Sequence, residues 1–442
     1  MTVPARGLTP QTAQVVDATV AGAQAGSRAP ALIAAVIRGG QVAHVSAAGD
    51  SPLPDRDLQF RLGSITKSLT AALMLGLRDE GRLDLDDPVA VHLPGFDLPG
   101  VRVRELLGHA SGMQREPDGR WWERHPVGSL PDLLAGVTPA KLAFGRYQRF
   151  HYSNLAYGLL GGVVAGLTGQ SWSEAVTTRL LKPLGMDRTS YQAEEPFARG
   201  YVVHPWHHTL REEPREDAGA MAPAGQLWST VDDLARFAAA LAGTGPGGSV
   251  LPDATVAEMS APVVLADLDG WTHGYGLGLQ LWRSGERVYI GHTGSMPGYL
   301  AVLVVHRRSG TGVVAFANTY SLPGTGIGKL GISLLDAVLD GEPVPSQPWQ
   351  PAPPPPDDVA PLCGRWWWMG REFEARWDDA LILRGTTPGA EAWRFTAEGA
   401  DRWRGQTGEQ AGEILAVLRD PDGTISGLDI ATFVFRREPM AD

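Results

Sequence analysis

The chain opens with a short-period apolar pattern. Residues 31–38 form a β-rich run, Gly39-Gly40 marks a turn, and residues 41–47 return, which predicts a hairpin. The period then lengthens. Leu69, Leu73 and Leu77 recur every four residues with Ala72 and Gly76 on the same side, predicting a helix that begins near Ser64 and stops at Gly81. Residues from about 100 to 240 read mostly as helices and loops, with a helix starting at Val231 behind a Ser229 or Thr230 cap. Between Tyr275 and Asn318 the short period resumes. Strands are predicted over 277–282, 287–291, 300–305 and 312–317, punctuated as in an antiparallel meander, and a closing helix over 328–339.

Composition then shifts. Residues 342–358 carry eight prolines, four of them consecutive from Pro353 to Pro356, the signature of a stiff extended linker. Beyond it the chain is rich in tryptophan and patterned as short strands over 365–368, 373–377, 381–384, 414–419 and 429–436. Asp422-Gly423 is a hairpin signal between the last two. That spacing predicts a small β-barrel or curled sheet, with Trp366, Trp367 and Trp368 in its core and rim. The expected division is a domain over 1–341, a linker over 342–358 and a β-domain over 359–442.

At 442 residues the chain exceeds one ordinary core, in line with that division. A net charge of −11 argues against a nucleic-acid partner. No apolar run is long enough to span a bilayer, so no membrane partner is expected. Residues 1–14 show no signal-peptide pattern, and the single cysteine, Cys363, permits no internal disulfide. These features lead to the expectation of a cytoplasmic protein.

The candidate chemistry begins at Ser64. Lys67, one of four lysines, follows three residues later, so hydroxyl and amine share one face of the first helical turn. A serine nucleophile needs a base held beside it. Tyr152, in Tyr152-Ser153-Asn154, is a candidate if neighbouring cations, Lys67 above all, lower its pKa. Asn154 is placed to bridge Lys67 and a substrate amide. His292-Thr293-Gly294-Ser295, expected at the end of a strand, supplies a second wall, with His292 counted with Ser64, Lys67, Tyr152 and Asn154 as a candidate catalytic residue. The backbone N–H groups of Ser64 and Ser295 are candidates for an oxyanion hole, and Thr293 and Gly294 for substrate binding. His109 reads as a satisfied structural histidine. His204, His207 and His208 read as a solvated loop, and Gly243-x-Gly245-x-x-Gly248 lacks the strand and helix that a dinucleotide site requires. No Gly-x-Ser-x-Gly is present, which argues against an α/β-hydrolase. No metal site and no cofactor are expected.

These motifs, in this order, resemble the serine β-lactamase and penicillin-binding-protein superfamily, and most of all its class C β-lactamase, D-aminopeptidase and esterase branch. The resemblance covers about residues 10–340. It includes Leu106-Leu107-Gly108-His109-Ala110-Ser111-Gly112-Met113, Pro183-Leu184-Gly185-Met186 and Gly225-Gln226-Leu227-Trp228-Ser229-Thr230. It implies an α/β (α+β) fold, an antiparallel sheet flanked by helices plus a helical subdomain, with the site between them. It further implies Ser64 as nucleophile, Lys67 as its proton partner, Tyr152 as general base and Asn154 as a substrate-positioning residue. Class C β-lactamases usually carry lysine where this chain has His292. Histidine there is typical of esterases, D-amino-acid peptidases and the penicillin-binding-protein-type thioesterases that release and cyclise nonribosomal peptides. Those thioesterases share a C-terminal lipocalin-like β-domain with other hydrolases of the branch.

The expected activity is therefore acyl transfer through a serine acyl-enzyme, to water or to an amine. Three substrate classes stay open: a peptidyl thioester, ester or amide ending in a D-residue, a small carboxylic ester, or a β-lactam. The cytoplasmic expectation favours the peptidyl substrate, with a peptidyl carrier protein as the candidate partner. A non-catalytic binding module on the same fold is the competing reading, opposed by the complete set of Ser64, Lys67, Tyr152 and Asn154.

Overall fold

The computed structural model describes all residues except 1–6, 51, 120–127, 323–325, 344–350, 352 and 440–442. Much of the expected proline linker lies outside the described residues. The chain divides into two compact units, Met1–Val344 and Pro345–Asp442.

The first unit is built on an eight-stranded sheet. Its order is Gln41–Gly49, Ala31–Arg38, Thr311–Ala317, Tyr299–His306, Arg287–Met296, Gln280–Ser284, His273–Tyr275 and Val264–Leu265. Each described pairing in it is antiparallel. The strands Ala31–Arg38, Tyr299–His306 and Thr311–Ala317 are apolar along most of their length because both faces are covered. Along Ala31–Arg38, Leu32, Ala34 and Val36 pack beneath the helices Pro10–Ser27 and Gly326–Gly341. Ile33, Ala35 and Ile37 face the opposite layer, which holds the helices Ile65–Asp79 and Val231–Leu241.

The 31–47 hairpin and the 328–339 helix form as expected, extended by a few residues. Thr230 caps its helix, accepting from the Asp233 N–H. Three readings need correction. The helix Pro10–Ser27 was not foreseen, although Thr9 caps it and Pro10 stands at its first position. The 277–282 strand is instead His273–Tyr275 and Gln280–Ser284, separated by a turn with Gly278 at φ +75°. The 287–291 strand runs on to Met296, so His292 to Ser295 form its C-terminal end and not a segment beyond it.

The second unit is an eight-stranded meander in sequence order from Gly364–Trp368 to Phe433–Phe435. Trp367 and Arg436 exchange two backbone hydrogen bonds, 2.7 and 2.8 Å, which bring the last segment back to the first strand and nearly close a barrel. Trp366 is fully buried in its core, and Trp367 and Trp368 are half-buried. Two strands, Ala392–Gly399 and Arg402–Gly405, were missed, although Trp393, Phe395 and Ala397 alternate with polar residues in the first; the second is only four residues long. The predicted 429–436 strand is two, broken where Ala431 and Thr432 take positive φ. Among the described residues, no helix is long and apolar enough to cross a membrane.

Candidate active site

Ser64 occupies the N-cap of the Ile65–Asp79 helix with helical backbone angles and makes no capping hydrogen bond, which leaves its hydroxyl to Lys67. Twelve of the fifteen helix residues are buried, so the helix runs through the interior and does not present the one-sided stripe its leucines suggest. Two glycines bring the site's walls together. A Cβ on Gly63, at φ +53°, would stand 2.4 Å from the Ser295 amide nitrogen, and one on Gly294 would stand 1.8 Å from the Leu62 carbonyl oxygen. Only glycine permits this approach, which sets the Ser295 backbone against the turn that carries Ser64.

Lys67 is fully buried. Its Nζ lies 3.0 Å from Ser64 Oγ and donates to the Ala224 carbonyl at 2.6 Å. It stands 5.1 Å from the centroid of the Tyr152 ring and 5.6 Å from that of Tyr157. Burial holds its pKa well below the ordinary lysine value; Glu116 opposes the shift and Arg115 adds to it. The neutral amine is thereby favoured. Tyr152 is half-buried beside the site. Desolvation pushes its pKa up, and Ser64 and the Arg115 charge only partly offset that. The expectation of a phenol acidified by Lys67 is thus reversed: desolvation outweighs the cations, and the phenol keeps its proton.

Asn154 starts the helix Asn154–Thr168, which Ser153 caps. Its Nδ2 donates to Glu116 Oε1 at 2.7 Å, and among the described residues Lys67 bonds Ser64 and Ala224, not Asn154 as expected. His292 is buried beside the site, its ring 6.3 Å from that of Tyr152. Nδ1 bonds the Thr293 carbonyl and must donate, so Nε2 accepts from the Tyr275 hydroxyl and the ring is neutral. Burial first, then Lys67, lowers its pKa to about 3. Thr293 donates through both N–H and hydroxyl to Gln280 Oε1, at 3.0 and 3.2 Å. Ser295 Oγ donates to the Tyr320 hydroxyl at 2.8 Å.

His109 is buried among Tyr152, Tyr157 and Tyr275, with ring centroids 4.3, 5.4 and 4.5 Å away. Its Nδ1 accepts from the Ser153 N–H at 3.1 Å, but Nε2 finds no partner among the described residues, so it is structural without being fully satisfied. The loop reading of 204–208 holds: His204 and His207 stack 3.8 Å apart beside exposed Trp206 and His208. Tyr157, Tyr275, Gln280, Arg115, Glu116 and Tyr320 were missed. Only Tyr275 carried a signal, standing just before Gly276 and Gly278; a Cβ on Gly278 would meet Ala71 at 2.2 Å.

The site therefore joins a serine hydroxyl, a buried amine bonded to it, a protonated phenol and a pair of close backbone segments, a set suited to acyl transfer. Residues 16–329 match the family model described as Beta-lactamase. The chain belongs to the Beta-lactamase family. It is a serine hydrolase of that family, in the company of penicillin-binding proteins. It is 31% identical over 331 residues to Penicillin-binding protein 4 of Amycolatopsis lactamdurans, covering 70% of this chain and 84% of that one. The crystal structure of a D-stereospecific amidohydrolase from a Streptomyces species is 27% identical, with a TM-score of 0.62, covering 73% of this chain and 98% of the other. SurE, solved with D-Leu, shares the fold at 23% identity and a TM-score of 0.60, over 97% of this chain and 100% of that one. Residues 355–437 match a domain of unknown function, DUF7586.

Proposed function

We propose that this protein forms an acyl-enzyme at Ser64 with peptidyl substrates whose scissile carbonyl belongs to a D-residue, as thioester, ester or amide, and passes the acyl group to water or to an amine. Ser64 Oγ attacks the carbonyl carbon while its proton passes to the neutral Lys67 amine 3.0 Å away. The carbonyl oxygen becomes an oxyanion held by the Ser64 and Ser295 N–H groups. Tyr152 relays the proton to the departing thiol, alcohol or amine as the carbonyl–leaving-group bond breaks. In the second half the acceptor attacks the acyl ester, gives up a proton through the same pair, and Ser64 leaves with its hydroxyl restored. The family model match carries the serine acyl-enzyme part of this reading.

The observation that carries the substrate preference is His292. Where a lysine would offer a fixed cation to a substrate carboxylate, this chain has a neutral imidazole locked between Tyr275 and Thr293. That favours a substrate with no carboxylate at that position, such as a peptidyl carbonyl. The D-preference draws support from the likeness to the D-stereospecific amidohydrolase and from D-Leu in the SurE structure. A peptidyl carrier protein is the partner such thioesters would arrive on, and an amine within the same peptide would make the product cyclic.

The test is a pair of linear peptidyl thioesters differing only in the configuration of the terminal residue, with intact mass reporting the acyl-enzyme. The D-isomer is expected to acylate wild-type protein and not Ser64→Ala. Turnover of short aryl esters and nitrocefin with neither thioester processed would replace the peptidyl reading with an esterase or β-lactamase.

A further inference from the structure

Burial disfavours charge on the floor of the site. Lys67 is held towards its neutral amine, His109 and His292 towards neutral imidazole, and Tyr152, Tyr157 and Tyr275 towards their phenols, each mainly by burial. One cation nevertheless stands against this floor. The guanidinium carbon of Arg115 lies 5.7 Å from the centroid of the Tyr152 ring, the same ring that Lys67 approaches. Its side chain is 66% exposed, so the charge meets solvent at the rim.

Its position is not left to a flexible loop. Ser153 Oγ donates to the Gln114 carbonyl at 2.7 Å, and the Asn154 and Leu155 N–H groups both donate to the Arg115 carbonyl, at 2.8 and 3.2 Å. The Arg115 backbone is thus bonded to the first turn of the helix that carries Asn154. Of its donors, Nε reaches Glu116 Oε1 at 3.3 Å, and the two Nη groups bond no described residue. Glu116 softens the positive charge but leaves the forked end of the guanidinium open.

We propose that Arg115 is a specificity-determining residue that selects acyl groups bearing a carboxylate. A guanidinium with an open fork binds a carboxylate through two parallel hydrogen bonds, geometry that no other described group at the site provides. It stands with Tyr152 and Asn154, not on the strand of His292 and Ser295, so the group it reads belongs to the acyl portion. This inference rests on the acyl-enzyme at Ser64 proposed above. It adds an acidic side chain or terminus near the scissile carbonyl to the substrate description.

The experiment compares two activated esters of equal length that differ in charge, mono-p-nitrophenyl glutarate and its methyl ester. Nitrophenolate release gives the acylation rate, and intact mass confirms the adduct. Wild-type protein is expected to favour the anionic ester by about tenfold, expressed in KM more than in kcat and reduced at high salt. Arg115→Gln should bring the ratio of the two rates near one, and Arg115→Lys should keep part of the preference. Because the readout is a ratio within each protein, a partly misfolded variant does not mimic the result. Equal rates in wild type, or a preference that survives Arg115→Gln, overturns the role of Arg115 and leaves the acyl-enzyme reading intact. Failure of both esters to acylate Ser64 overturns both.

Discussion

The floor around Ser64 and the interior of the C-terminal barrel are both fully buried, yet they are filled in opposite ways. The floor holds Lys67, His109, Asn154 and His292 out of water. The barrel interior holds Trp366, Leu381, Leu383, Phe395, Leu415, Leu428 and Ile430, with Gln410 as its buried polar residue among those described. Burying an amine or imidazole costs free energy unless it stays neutral and finds partners, whereas burying leucine and tryptophan stabilises directly. The floor thus gives up stability to hold groups in unusual protonation states, the condition that acyl transfer near neutral pH requires. Among the described residues the barrel core instead buries aromatic and aliphatic side chains, and its unpartnered buried atoms are the neutral Trp393 and Trp403 indole nitrogens and Gln410 Oε1.

The contrast breaks most sharply at Lys67. Lys67→Met removes the neutral amine beside Ser64 and should lower kcat/KM for an activated ester by about 10³-fold or more, since nucleophile and proton partner act as a unit. The melting temperature should change far less than such a loss would suggest, because the desolvation of the amine disappears along with its bond to Ala224. In the wild type the acid limb of kcat/KM should follow Lys67: its lowered pKa means the active neutral amine is lost as pH falls through that value. A Lys67→Met protein as active as wild type would remove the basis for treating the floor as chemical.

In the barrel the expected effects exchange places. Trp366→Ala empties a fully buried site, removes the indole N–H bond to the Leu362 carbonyl at 2.8 Å and takes away the ring beneath the Arg437 guanidinium. It should cost about 3–5 kcal/mol in the unfolding of that unit, read by denaturant titration of tryptophan fluorescence. Acylation of Ser64 by a small ester should stay within about twofold of wild type. A large loss of acylation with the barrel still folded would show that the two regions share one task.

A smaller effect sharpens the account of His292. Its pKa of about 3 in the folded protein lies below the ordinary histidine value, so the unfolded chain binds the extra proton. The stability it contributes is present above the unfolded value of about 6.5 and is lost as pH falls below it. Between pH 7 and pH 5 the wild type should lose about 2 kcal/mol more stability than His292→Gln, measured by urea titration at each pH. Parallel pH dependence in the two proteins would mean that His292 is not held neutral.

Ser64 and Lys67 were legible because a spacing of three on a helix's first turn fixes two side chains on one face whatever surrounds them. The hairpin at 31–47 and the Thr230 cap were legible for the same reason: turn and capping chemistry act over a few residues. The helix Pro10–Ser27 escaped because Val16 and Val20 make a thin stripe, buried only once the strands Ala31–Arg38 and Gln41–Gly49 and the Gly326–Gly341 helix from the far end of the unit are brought against it. The bond from Asn154 to Glu116 escaped likewise, since it joins residues 38 apart in the chain.

What the sequence determined by itself was therefore local and combinatorial. It set which residues could do chemistry, in what order, on which short elements, and a composition break that separates a tryptophan-rich strand region from the rest. The tertiary structure decided the charge states. The Tyr152 phenol retains its proton and the Lys67 pKa is pulled down because several elements together desolvate both, and desolvation is a property of an enclosure that no short stretch of chain encodes. The same enclosure turned His292 inward against Tyr275 and left Arg115 as the cation at the rim.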